Sequence, residues 1–260
     1  MFLSIDAGNS NIVFSFYNPS SKSWTNEFRV ETRRDLTELE LEQKVGLFLM
    51  ENGIRSQAIS KVGISSVVPE INKTLELFSR KFLGIDPYLI SGRSYARLPV
   101  STSRPDEIGS DLMCNVMAAY HRYRTSCIIV DFGTALTFTV VDDHGMVLGV
   151  NIAPGIKTAI RSLSSSTSKL PEVVLEVPDS AIGQNTIHSI QAGIIFGYVG
   201  LVNGMLDAII EELDYTPQVI ATGGLSHFLP KLQRRFDHVD RNLTVEGIRL
   251  ITEMNTGDQK

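Results

Sequence analysis

The chain has 260 residues, 43% hydrophobic and 20% charged, with a net charge of -5 and a pI near 5.6. That is enough apolar material for one large core or two ordinary ones, which excludes a disordered chain and a small disulfide-stapled scaffold. The acidic balance leaves no footprint for nucleic acid, and two cysteines without CxxC or Cys/His spacing suit a reducing compartment, so a cytoplasmic protein is expected.

Met1 to Asp6 carries no basic stretch ahead of an apolar run, so no export signal is expected. Phe2 to Ile5 and Ile12 to Tyr17 predict two strands around the turn formers Ala7-Gly8-Asn9-Ser10-Asn11, a hairpin with Asp6 at its neck. A strand near Phe28 to Glu31 follows, then a helix from Thr37 to Asn52 stopped by Gly53. Val62 to Val68 reads as a strand, Ile71 to Leu83 as an amphipathic helix and Tyr88 to Ser91 as a further strand. After Pro105, a helix opened by Asp106 or Glu107 runs to about Tyr123, with Asp111 and Asn115 one turn apart. Asn115 is placed to hydrogen-bond Asp111 or to face solvent.

Strands are then expected from Ser126 to Asp131, Thr137 to Val141 and Met146 to Ala153, the last two joined at His144-Gly145. The apolar stretch Ile187 to Leu213 is interrupted by His188, Gln191, Asn203 and Asp207. It falls short of a membrane span and predicts a buried helix, whose Gly193, Gly197 and Gly204 suggest close packing within the lobe or across a dimer seam. Val219-Ile220-Ala221-Thr222-Gly223-Gly224 reads as a strand and glycine turn leading to a helix near Ser226. The five histidines form no i, i+4 pair and have no Cys partner, so none is assigned to metal.

The opening hairpin recurs. Ser4 to Phe14 aligns without a gap on Ile129 to Thr139, with Asp6 on Asp131 and Gly8 on Gly133, an offset of 125 residues from 6 to 131. That is the scale of a duplicated domain, and it predicts two similar α/β lobes with mixed sheets, residues 1–115 and 116–260. A carboxylate at a strand end followed by glycine and a hydroxyl suits a nucleotide polyphosphate with its metal. Asp and Gly also dominate ordinary turns, so Asp6 and Asp131 as turn caps is the alternative reading.

Taken in order, Asp6-Ala7-Gly8-Asn9-Ser10-Asn11, Gly109-Ser110-Asp111-Leu112, Asp131-Phe132-Gly133-Thr134, Gly149 to Gly155, Leu170-Pro171, Ile182 to Thr186 and Thr222-Gly223-Gly224 resemble the type III pantothenate kinases. These belong to the superfamily of acetate and sugar kinases, Hsp70 and actin. The resemblance covers the whole chain. It implies actin-like (ribonuclease H-like) lobes with an interlobe cleft and ATP-dependent phosphorylation of pantothenate to 4'-phosphopantothenate, the first step of coenzyme A biosynthesis. It also implies a homodimer using Mg²⁺ with ATP and a monovalent cation, K⁺ or NH4⁺, with no membrane partner.

By motif position Asp111 is the proton acceptor. ATP contacts fall to Asp6, Ala7, Gly8, Asn9, Ser10, Asn11, Ile12, Val13, Thr134 and Gly223. Acceptor contacts fall to Gly109, Ser110, Asp111, Leu112 and Thr186, the monovalent cation to Asp131, and Mg²⁺ to Asp6 through ATP.

The chain departs from the pattern at the acceptor side. Leu112 stands where the family carries an arginine for the substrate carboxylate, and Thr102 where it carries a tyrosine. Thr139 replaces an aspartate and Val150 a glycine, while Arg97 and Arg104 are the nearby cations available to substitute. A nucleotide-binding regulator without catalysis, or a kinase of another hydroxylated metabolite, are the rival readings.

Overall fold

A strand covered on both faces must be small or apolar throughout, because its side chains alternate. In the computed structural model, which describes residues 1–257, β1 (Phe2–Ala7) is such a strand, buried along nearly its whole length. Leu3, Ile5 and Ala7 enter one core, and Phe2, Ser4 and Asp6 face the other way. β1 pairs antiparallel with β2 (Asn11–Asn18), which pairs antiparallel with β3 (Ser23–Glu31).

α1 (Glu38–Glu51) begins at a capping box, Thr37 with Glu40, and stops where Gly53 takes φ +64°. β4 (Lys61–Ser66) runs parallel to β1, and α2 (Pro69–Phe78) starts on its proline. The turn after α2 is π-helical over Ser79–Leu83, so the helix expected to reach Leu83 changes winding at Ser79, whose hydroxyl donates to the Ile85 carbonyl. β5 (Tyr88–Leu89) completes the sheet order β3-β2-β1-β4-β5. α1 and α2 supply Leu41, Val45, Leu49, Ile71, Leu75 and Phe78 to the core of Phe14 and Phe16. Each fully buried side chain of this size stabilises by roughly 1.5–3 kcal/mol.

A two-residue strand, β6 (Ser101–Thr102), precedes α3 (Ser110–Tyr123). The helix opens later than the expected Asp106 or Glu107, because the Arg104 carbonyl takes the Glu107 and Ile108 amides into a turn and Gly109 accepts the first helical bond, from Met113. Asn115 is fully buried rather than solvent-facing.

The second lobe repeats the plan. β7 (Cys127–Phe132), β8 (Ala135–Val141) and β9 (Met146–Pro154) form an antiparallel meander, and β10 (Gln218–Thr222) and β11 (His238–Val239) add parallel strands beside β7. The order β9-β8-β7-β10-β11 matches β3-β2-β1-β4-β5 strand for strand. α4 (Ile156–Ser166) and α5 (Thr186–Glu211) stand between β9 and β10, and Ile190, Ile194, Ile195, Tyr198, Val202 and Leu206 of α5 join the core of this lobe.

α5 corrects two expectations. Its polar interruptions do not take it below the length and hydropathy of a membrane-crossing helix, and only 22% of its most apolar window is buried. It packs by one face, where Tyr198 also donates to the Pro154 carbonyl, while Gly193, Gly197, Gly200 and Gly204 look onto open space. The helix expected near Ser226 is also replaced. Pro230 lacks the amide that the Ser226 carbonyl would accept, the Gln233 side chain takes that carbonyl instead, and a 3₁₀ segment runs over Pro230–Arg235.

The chain does not divide at residue 115. The compact units are Met1–Arg122 with the chain from Asn242 onward, and Tyr123–Arg241. The reason is α6 (Leu243–Thr256), which packs on β1 and β4 of the first lobe. Gly63 and Gly247 make the fit, since a Cβ on Gly63 would lie 2.3 Å from Thr252 Oγ1 and one on Gly247 would collide with the Cys114 backbone.

Candidate active site

Asp6 is the residue of β1 whose Cα partners are Val13 on β2 and Ser65 on β4. Beyond it, the loop expected to meet ATP is fastened by several bonds, among them Thr32 N donating to Ser10 O at 3.1 Å. Gly8 N donates to Asn11 O (3.0 Å), Thr32 Oγ1 donates to Gly8 O (2.7 Å), and Val67 N donates to Ala7 O (3.0 Å). Ala7 and Ile12 place their side chains in the core, whereas Asn9 and Asn11 are exposed and Gly8, Ser10 and Val13 partly so. The loop thus offers backbone amides and short polar groups on a fixed frame, which suits a polyphosphate.

Asp111 sits in the first turn of α3, half-buried, with its Oδ1 accepting the Leu112 amide at 2.8 Å. A Cβ at position 109 would lie 2.4 Å from the same oxygen, so glycine there gives the carboxylate its place. Next to it the Ser65 and Ser110 hydroxyls are bonded at 2.8 Å. Burial pushes the Asp111 carboxyl above the usual carboxylate range, against the pull of the amides it accepts. Burial, then Asp6 and then Asp111, push the Cys114 thiol far up, which puts both carboxylates within electrostatic reach of one buried group. Tyr95, with its ring buried, is raised by burial and then by Cys114 and Asp111.

Sequence reading missed Ser65, Tyr95 and Cys114 here. Only the strand register that sets Ser65 beside Asp6 could have signalled the first. Asn115, one turn below Asp111, accepts from Thr244 Oγ1 of α6 at 2.8 Å. Leu112 is buried, so it contributes apolar packing to α3. Arg104 pairs with Glu107 at 3.0 Å on the surface, and Arg97 is exposed.

In the second lobe three glycine-bearing segments meet around the turn that follows Asp131. Gly133 N donates to Ala135 O (3.1 Å) and closes the β7–β8 turn, whose Gly133 and Thr134 are exposed. Thr134 O accepts from Gly155 N (3.0 Å) and Thr158 Oγ1 (2.7 Å), and a Cβ at Gly155 would lie 2.3 Å from Gly133 O. Gly223 has φ +87°, and a Cβ there would lie 2.5 Å from Asp131 Oδ1. Thr137 and Thr222 flank Asp131 in register, both buried, and neither hydroxyl has a hydrogen-bond partner.

Thr186 is exposed at the start of α5, where with Leu163, Leu170, Ser189, Ile190 and Gly193 it lines a concavity of about 470 Å³. Among the described residues no three His, Cys, Asp or Glu side chains gather to hold a metal ion.

The duplicated meander-plus-parallel sheet has the fold of the actin-like ATPases and sugar kinases. A solved structure assigned as a 2-dehydro-3-deoxygalactonokinase from Sinorhizobium meliloti shares the fold with a TM-score of 0.60 at 10% identity, over 100% of this chain and 98% of that one. A conserved Baf family protein from Campylobacter jejuni, described as a transcriptional activator, superposes at 0.56 with 20% identity over 97% and 98%.

Sequence comparison narrows the class. The sequence model of the type III pantothenate kinases matches residues 2–208. A type III pantothenate kinase of Anaeromyxobacter sp. (strain Fw109-5) is 37% identical over 98% of this chain and 100% of its own length, and that of Citrifermentans bemidjiense is 39% identical over 98% and 100%. The chain belongs to the type III pantothenate kinase family.

Proposed function

We propose that the protein transfers the γ-phosphoryl group of ATP to the terminal hydroxyl of pantothenate, giving 4'-phosphopantothenate and ADP at the entry to coenzyme A synthesis. The observation that carries the residue assignment is Asp111, a carboxylate held in a fixed rotamer by its bond to the Leu112 amide, with burial raising its basicity. Its role is to accept the acceptor hydroxyl proton as the bond to phosphorus forms, while the leaving oxygen remains on ADP.

The Asp6 loop, Thr134 and Gly223 contact the nucleotide in this reading, and Gly109 to Leu112 with Thr186 contact the acceptor. Asp6 would hold the Mg²⁺ that accompanies ATP, which would supply charge neutralisation at the phosphates, and Asp131 would hold a monovalent cation, K⁺ or NH4⁺. The amide-rich turns align the phosphates and exclude the need for large rearrangement during transfer. A second copy covers the open face of α5, where four glycines lie on one side of the helix, in a cytoplasmic homodimer. A monomeric mass at micromolar concentration would remove that part.

The test is incubation of the purified protein with ATP, Mg²⁺ and pantothenate in K⁺ or Na⁺, with mass spectrometry for phosphopantothenate and Asp111→Asn as the control. Product that depends on Asp111 supports the reading. ATP binding without product, followed by turnover on another hydroxylated acceptor or on none, would give the site to one of the two rivals.

A further inference from the structure

Asp131 on β7 has one register neighbour on each side, Thr137 on β8 and Thr222 on β10. Directly paired residues project from the same face of a sheet, so the three side chains form a row. The row lies opposite the core of the lobe, whose Val130, Phe132, Leu136, Phe138 and Ala221 alternate with it along the strands. Thr137 is 8% exposed and Thr222 0%, yet both hydroxyl oxygens lack a hydrogen-bond partner. A buried hydroxyl is costly unless something meets it, and here two stand beside one carboxylate.

The matching row in the first lobe is built differently. Asp6 is flanked by Val13, which has no hydroxyl, and by Ser65, whose hydroxyl is already bonded to Ser110 at 2.8 Å. The two rows share a position in the sheet and differ in the hydroxyls beside the aspartate, which in the second lobe have no hydrogen-bond partner.

We propose that Thr137 and Thr222 are hydroxyl ligands which, with the Asp131 carboxylate, complete an oxygen site for a monovalent cation. This rests on the assignment of the cation to Asp131 made above and adds the groups that would hold it. All three donors are hard oxygens, which suit an alkali cation, and a single carboxylate carries too little charge to favour a divalent ion dehydrated by the protein alone. No cluster of three acidic, His or Cys side chains among the described residues competes for the role. The backbone of Gly223, pressed against Asp131, closes one side of the row.

Thermal unfolding without nucleotide or acceptor tests this, so the result is independent of which molecule is phosphorylated. The wild-type midpoint is measured in KCl and in choline chloride at equal ionic strength, across a K⁺ titration, beside Thr137→Val and Thr222→Val. A bound cation raises the wild-type midpoint in KCl only. Each valine, close in shape to threonine, is expected to weaken the apparent K⁺ affinity about tenfold, the scale of one lost polar ligand. In choline the valine variants should unfold at the wild-type midpoint or above it, since an unpartnered hydroxyl has been removed. A purely structural role for the hydroxyls would instead shift the midpoint equally in both salts, and that result would overturn the proposal. A wild-type midpoint indifferent to K⁺, or one whose K⁺ response survives in both variants, would do the same.

Discussion

The two lobes carry the same five-strand order around a central strand that ends in Asp-x-Gly, and they diverge in the loop that follows. In the first, β1 and β2 are separated by Gly8, Asn9 and Ser10; in the second, β7 and β8 are separated by Gly133 and Thr134 alone. The shorter turn depends on outside support, with Gly155 and Thr158 bonded to the Thr134 carbonyl and Gly223 in a left-handed conformation against Asp131. The longer turn is held by bonds that include Gly8 to Asn11 and Thr32 to Gly8. A duplicated hairpin can thus keep its register while one copy becomes a nucleotide-facing loop and the other a junction of three glycine segments.

The comparison can be broken most sharply at chemistry. Asp111→Asn, in the first lobe, should reduce turnover by about 10²–10⁴-fold while ATP binding measured by calorimetry is retained. Its effect on stability should have the opposite sign. A carboxyl whose folded pKa lies above its unfolded value lowers stability as pH rises from the unfolded pKa through the folded one, so above that window the asparagine variant should melt at or above wild type. By the same displacement, the acid limb of the kcat profile should lie above the ordinary carboxylate pKa of roughly 3.9. A limb at or below that value would remove Asp111 as the titrating base.

Next in size, alanine at the two kinds of glycine should separate the lobes. Gly223→Ala faces both a positive φ and a Cβ 2.5 Å from Asp131 Oδ1, and should cost about 2 kcal/mol or more in urea unfolding. Gly8→Ala meets only the Asn11 carbonyl at 3.4 Å and should cost under about 1 kcal/mol. Equal losses would mean the turns are braced alike. A comparably small effect, about 0.5 kcal/mol by the same measurement, is expected at Ser65→Ala, which removes one partner of the Ser110 hydroxyl and leaves it the Ser66 carbonyl at 3.3 Å.

Much of this plan was legible in the chain. The apolar strands, the Thr37 to Asn52 helix with its Gly53 stop and the Asp6/Asp131 repeat follow from local periodicity and turn chemistry, which need no knowledge of the partner strand. What depends on pairing was hidden. The gapless alignment set Ile12 against Thr137, whereas the structure makes Val13 the counterpart of Thr137, since each is the cross-strand partner of its aspartate. The one-residue slip occurs inside the turn and reverses the face of every later side chain, so Thr137 and Thr222 could not be recognised as a row. The lobe boundary was hidden for a similar reason. The apolar stripe of α6 does not itself name the sheet it covers, because the space that receives it is left by Gly63 on β4, far earlier in the chain, and Gly247 of α6 fits only against the Cys114 backbone of α3.

That docking has a consequence for the order of assembly. On a ribosome the first sheet emerges before the second lobe, but the helix that covers the Ser4 and Asp6 face of β1 emerges only after it, so the second lobe can finish before the first. The contact that closes the first lobe is of long sequence separation, 222 residues between Trp24 and Glu246, the kind that slows folding. It also carries its own reporter. The single tryptophan, Trp24, donates its indole N–H to Glu246 of α6, and Arg249 lies over the Tyr17 ring beside it. Tryptophan fluorescence during refolding therefore times the moment at which α6 docks on the first sheet.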